Sequence, residues 1–183
     1  AETFREMLPK KTLATIFPAK VYLSKHDRPS DEEIKANLGR GYMRAAGMIL
    51  WAVRHCYPEG KYGVSQLCKM MSCPSNAAFE AAMHMIRYME QHKNKGILFS
   101  ANGNVYPVIM SDASNKPDPF SGLAHAGHTA HWANSPVSCK SNLLKHEGLS
   151  SEHNEYMGLT AALHFVGWMR QLLGEIGCGK VIK

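Results

Sequence analysis

The pattern of apolar and polar positions changes character along the chain. From Gly41 to Val53, Tyr42, Met43, Ala45, Ala46, Met48, Ile49, Leu50 and Trp51 fall on all sides of a helical wheel, which predicts a largely enclosed helix at the centre of a first module. Tyr57-Pro58-Glu59-Gly60 breaks it. Tyr62, Leu67 and Met71, with Val64 and Cys68 beside them, predict a second helix ending before Pro74. Ser75 is placed to cap a third, in which Phe79, Ala82, Met83, Ile86 and Met89 recur at three- and four-residue spacing. His92, Lys93 and Lys95 sit where the helix dipole favours cations, and Gly96 is a natural stop. Residues 1–40 show no sustained period; Pro9, Pro18 and Pro29 among lysines and the acidic Asp31-Glu32-Glu33 predict an extended arm with one short helix.

After Gly96 the period becomes that of a sheet. Ile97-Leu98-Phe99 and Val105 to Met110 read as short strands, with further strands at Gly122 to His131 and Pro136 to Lys140. Asn134-Ser135-Pro136 supplies a turn, and short connections imply an antiparallel meander. Ser150-Ser151 then caps a helix with Glu152 and Glu155 in its first turn. Tyr156, Leu159, Leu163, Val166 and Leu173 form its expected buried stripe, Gly174 and Gly177 end it, and Lys180-Val181-Ile182 opens another strand. The expected class is α+β: an arm over 1–40, a helical module over 41–96, and a strand-led module over 97–183.

Composition narrows the picture. The chain has 183 residues, 45% hydrophobic and 20% charged, the balance of a folded globular protein. The apolar run at Tyr42 to Val53 is too short, and too interrupted by Arg44, to cross a bilayer, so no membrane span is expected. Cys56, Cys68, Cys73, Cys139 and Cys178 are odd in number and lack a Cys-x-x-Cys pair. That argues against a disulfide framework or zinc ribbon and for a reducing intracellular compartment, cytoplasm or nucleus, or an organelle if a presequence was removed. A net charge of +6 favours a polyanionic partner.

The feature with most chemical content is Val108-Ile109-Met110-Ser111-Asp112, an apolar strand that delivers a carboxylate at its end. Glu155 is a second acid that a strand-strand-strand-helix order can return to the same sheet edge, where converging carboxylates suit Mg²⁺. Spacing alone favours the plainer reading of both, Asp112 as a turn or cap residue and Glu155 as a solvated helix residue. His125, His128 and His131 alternate between strand faces rather than gathering ligands, and Cys68 and Cys73 read as core or near-core thiols. Lysines at 10, 11, 93, 95, 140, 145, 180 and 183 either line a nucleic-acid track, with Trp132 or Tyr106 for stacking, or are solvated without a common face.

Several segments in order resemble copia-type retrotransposon polyproteins between the end of the reverse transcriptase and the ribonuclease H domain. Tyr42 to Trp51 is similar to the family's Tyr-Arg-x-x-x-Gly-x-Leu-x-Tyr/Trp, with Met43 as an extra residue. Tyr62-Gly63-Val64-Ser65-Gln66-Leu67 resembles Tyr-Ala-Val-Ser-x-Leu, and Ala81 to Met89 resembles Ala-Ala-Lys-Arg-x-Leu-Arg-Tyr-Leu. Ser111-Asp112-Ala113-Ser114, Ser121-Gly122, Val137 to Ser141 and Leu149 to Leu159 are similar to its ribonuclease H part.

The resemblance implies a helical connection module followed by the amino-terminal half of a ribonuclease H fold, with Asp112 and Glu155 as catalytic, metal-binding carboxylates for Mg²⁺ or Mn²⁺. Its intact form would hydrolyse the RNA strand of an RNA–DNA hybrid by a two-metal mechanism. Departures accompany it: Asn154 replaces an alanine, Cys56 to Gly60 stands where the family has Thr-Arg-Pro-Asp-Ile, and the polymerase's paired aspartates do not occur. The family's later Asp-Asn motif and a fourth metal-site residue also lie outside these residues, so the expectation is an incomplete, inactive site. Two functions stay open at this level: part of a retroelement ribonuclease H, and a captured non-catalytic subunit that docks on protein partners by its basic surface and open sheet edge.

Overall fold

A computed structural model describes residues 2–24, 29–100, 106–114, 118 and 121–177. The class is α+β, and the chain divides into two compact units, Ala1–Gly96 and Ile97–Lys183.

Unit 1 is helical: α1 (Asp31–Gly39), α2 (Tyr42–His55), α3 (Lys61–Lys69) and α4 (Asn76–Gln91), with 3-10 turns at Glu2–Met7 and Pro58–Gly60. Two serines start helices by the same device. Ser30 Oγ accepts from the Glu33 amide at 3.1 Å and Ser75 Oγ from the Ala78 amide at 3.2 Å, each satisfying a donor that the first turn leaves unpaired. Phe4, Tyr42, Ile49, Leu67, Met70, Phe79 and Met85 lie among the buried residues of the core. Tyr42 Oη donates to the Leu67 carbonyl at 2.8 Å, and burial pushes its phenol pKa well up.

The amino-terminal segment joins this core, with Phe4, Leu8, Leu13, Ile16 and Leu23 all buried. Helix side chains hold its backbone. Gln91 accepts from the Leu13 amide at 3.0 Å and donates to the Lys11 carbonyl at 3.0 Å, and a ring nitrogen of His84 lies 2.8 Å from the Thr15 carbonyl oxygen.

α2 corrects the expectation of an enclosed helix. Tyr42, Ala45, Ala46, Ile49 and Val53 are buried, whereas Met43, Met48, Leu50 and Trp51 are exposed in unit 1. The elements of this unit that α2 meets lie on one side of it, so an all-round apolar sequence finds partners for one stripe only. Cys68 is likewise exposed rather than near the core.

Unit 2 contains β1 (Val108–Ala113), β2 (His125–Trp132), β3 (Ser135–Leu143) and α5 (Ser151–Glu175). The strands form an antiparallel sheet in the order β1-β2-β3. The β2–β3 hairpin turns at Ala133 and Asn134, both in the left-handed region at φ 49° and 62°, the backbone hand that matches the twist of flanking strands. Residues 97–99, expected as a strand, pair with none of the described strands, and Leu98 and Phe99 are exposed. Val105, the expected start of β1, and the strand opening at Lys180 lie outside the described residues.

Candidate functional site

Ser150 caps α5 by accepting from the His153 amide at 3.1 Å. Glu152 is in the first turn and Glu155 lies one turn further on, beyond the turn in which it was expected. The buried face is a second correction. Asn154, Gly158, Ala162, Met169 and Leu173 are buried, while Tyr156, Leu159 and Leu163 of the expected stripe are exposed. Close approach is the reason. A Cβ on Gly158 would stand 3.3 Å from the Ala126 Cβ, 3.5 Å from the Ala113 Cβ and 3.7 Å from the Asp112 carbonyl oxygen. Small residues let the helix backbone settle on a sheet floored by alanines, which bulky side chains would hold away.

This contact fixes where the two sequence-marked carboxylates stand. Asp112 pairs with Gly127 across the β1–β2 ladder and is exposed. Ala113 meets α5, so the strand's alternation gives Asp112 to the opposite face. Glu155, also exposed, lies three residues before Gly158, so both acids belong to segments at one end of the sheet. Gly127 leaves the position beside Asp112 without a side chain, and a Cβ there would stand 2.9 Å from the Lys140 carbonyl oxygen.

The family resemblance implies a metal ion held by these two carboxylates. Among the described residues no three His, Cys, Asp or Glu side chains gather to hold an ion. Two solvated carboxylates on different elements do not by themselves supply the oxygen set that fixes Mg²⁺.

Asn154, at the family's alanine position, is buried with its Oδ1 unpartnered. A Cβ on Gly148 would overlap that amide, so the glycine makes room for the larger side chain. The three strand histidines are all in β2. His128 is 5% exposed on the α5 side, its ring 5.3 Å from that of Phe165, and its Nε2 is buried without a hydrogen-bond partner. Burial, with Lys140 nearby, holds its pKa below the ordinary 6.5. Periodicity did not single it out, because a histidine at an inward strand position has no pattern of its own. Cys56, Cys68 and Cys73 are not in disulfides. No described helix is long and apolar enough to cross a membrane.

No protein-family model matches the chain, and no solved structure does. The chain is 27% identical over 128 residues to the Secreted RxLR effector protein 161 of Plasmopara viticola, covering 70% of this chain and 90% of that protein. It is 25% and 24% identical over 120 residues, 66% of its length, to the Retrovirus-related Pol polyproteins from transposons RE1 and RE2 of Arabidopsis thaliana. The match spans 8% of each polyprotein. The chain is thus similar to retrotransposon Pol polyproteins over two thirds of its length, which supports a retroelement origin.

Proposed function

We propose that this chain derives from the span of a copia-type polyprotein between the reverse transcriptase and ribonuclease H, and that unit 2 is a ribonuclease H-like half-fold that does not cleave on its own. The reading is carried by one observation: three antiparallel strands and a helix follow one another with Asp112 on β1 and Glu155 early in α5, brought to one sheet end through Gly158. The family's ancestral reaction, hydrolysis of the RNA strand of an RNA–DNA hybrid, needs ions held between carboxylates that converge. Here the alternation of β1 turns Asp112 away from the face that α5 covers.

A labelled RNA–DNA hybrid incubated with the full chain in Mg²⁺ or Mn²⁺ tests this. The expected result is no cleavage above that of Asp112→Asn. Cleavage that Asp112→Asn or Glu155→Gln abolishes would overturn the non-catalytic reading and restore the enzyme.

A second reading, a captured subunit docked on protein partners, draws on the apolar side chains unit 2 leaves uncovered, including Leu149, Tyr156, Leu163 and Trp168. Sedimentation of the purified chain separates the two, since a stable, monodisperse monomer counts against the docked subunit.

A further inference from the structure

α5 carries a second pattern besides the small-residue face that it lays on the sheet. Tyr156, Leu159, Leu163 and Val166 recur at steps of three, four and three, the spacing of a coiled-coil seam. Unit 2 leaves that seam largely uncovered: Tyr156 is 69%, Leu159 44% and Leu163 57% exposed, and Val166 is half-buried. A further step of four at each end brings Glu152 and Arg170 onto the same line. Both are exposed, and neither is in an ion pair with a described residue. The stripe therefore runs from an acid through four apolar side chains to a base, about 27 Å along the helix axis.

We propose that this stripe binds a second copy of the chain, with the two α5 helices antiparallel. Its order is self-complementary about the height of Ala161. A two-fold axis there sets Leu159 against Leu163, Tyr156 against Val166 and Glu152 against Arg170, each pair occurring twice. The apolar layers are those of an antiparallel coiled coil, and both ends close on opposite charges. A parallel pair would set Glu152 against Glu152 and Arg170 against Arg170, so charge fixes the direction. A uniformly acidic or uniformly basic partner would meet a like charge at one end, whereas a second copy meets none. The seam is short, so the dimer is weak, with a Kd on the order of 10–100 µM, and the chain is monomeric at lower concentrations. Neither Asp112 nor Glu155 is on the stripe, so the pairing stands apart from the ribonuclease H reading. It shares Tyr156 and Leu163 with the docked-subunit reading and commits that face to one partner.

Sedimentation equilibrium of the full chain from about 2 to 300 µM is the test. The expected result is a concentration-dependent equilibrium between monomer and dimer, with Leu163→Asp monomeric throughout. Glu152→Arg and Arg170→Glu each bring like charges together and should weaken the dimer about fivefold or more, while the chain carrying both should return to within about twofold of the original. A parallel pair shows no such rescue. Circular dichroism of each variant checks the fold, and the charge exchange decides the matter if Leu163→Asp does not fold. A monomer at about 300 µM overturns the proposal and counts against the docked subunit as well. A dimer indifferent to Leu163→Asp, or one that the double exchange fails to restore, overturns this pairing alone.

Discussion

Unit 1 and unit 2 use apolar residues in opposite ways. The hydrophobic core cluster is drawn wholly from unit 1, where Phe4, Tyr42, Phe79 and Met85 are all but fully covered. Unit 2 buries chiefly small residues, Ala113, Ala124, Ala130 and Ala162, with Met169 and Leu173, and leaves Leu149 at 93% and Tyr156 at 69% exposure. Apolar stabilisation scales with area removed from water, so the same overall composition gives a well-filled core in one half and a thin one in the other. The lesson concerns helices especially. Which stripe of a helix is buried depends on what approaches it, and α5 is approached on its small-residue face.

The largest effect that sharpens this contrast comes from a pair of truncations. Phe79→Ala in unit 1 removes a ring that is 1% exposed and carries Arg40 at 3.8 Å, and should cost about 3–5 kcal/mol. Leu163→Ala on the exposed side of α5 should change stability by no more than about 0.5 kcal/mol. Urea unfolding of both variants checks it, and equal losses would break the comparison.

A smaller effect probes how tightly unit 1 is filled. Gly63 occupies the family's alanine position, but here a Cβ would stand 2.7 Å from the Phe17 ring and 2.9 Å from the Met85 sulfur. Gly63→Ala should therefore destabilise by about 1–3 kcal/mol, although alanine improves helix propensity by about 1 kcal/mol. The same urea melts decide the sign.

In unit 2 the corresponding substitution should act in the other direction. Asn154→Ala removes a buried amide whose Oδ1 has no partner, and should leave stability unchanged or raise it by about 1 kcal/mol, read as a higher unfolding midpoint.

The smallest effect is one of pH. Because the folded-state pKa of His128 lies below its ordinary 6.5, the unfolded chain binds the proton more readily. The sign follows: its contribution is fully present above 6.5 and is lost as pH falls from there towards the folded-state value. Thermal midpoints at about pH 7.5 and 5.5 should fall less in His128→Gln than in the unsubstituted chain.

Much of the fold is legible in the sequence. Ser75 and Ser150 cap the helices they were expected to start, and the three-strand meander follows from turn residues and alternating runs. What is not legible is which side of an element meets a partner. The hydrophobic pattern of α5 favours Tyr156, Leu159 and Leu163, yet a close helix–sheet approach selects Gly158, whose value lies in having no side chain. At the candidate site, motif and spacing mark Asp112 and Glu155, but the face of Asp112 is set by the β1–β2 register and by where α5 settles. Neither is written in local propensity.

The central claim, that unit 2 has the order of a ribonuclease H half-fold without an assembled carboxylate site, is tested most directly by Mn²⁺ binding to the full chain, followed by the electron paramagnetic resonance of the free ion. The account predicts no ion held more tightly than about 1 mM, and isotherms that Asp112→Asn and Glu155→Gln leave unchanged. Stoichiometric binding at micromolar Mn²⁺ that either substitution abolishes would contradict it.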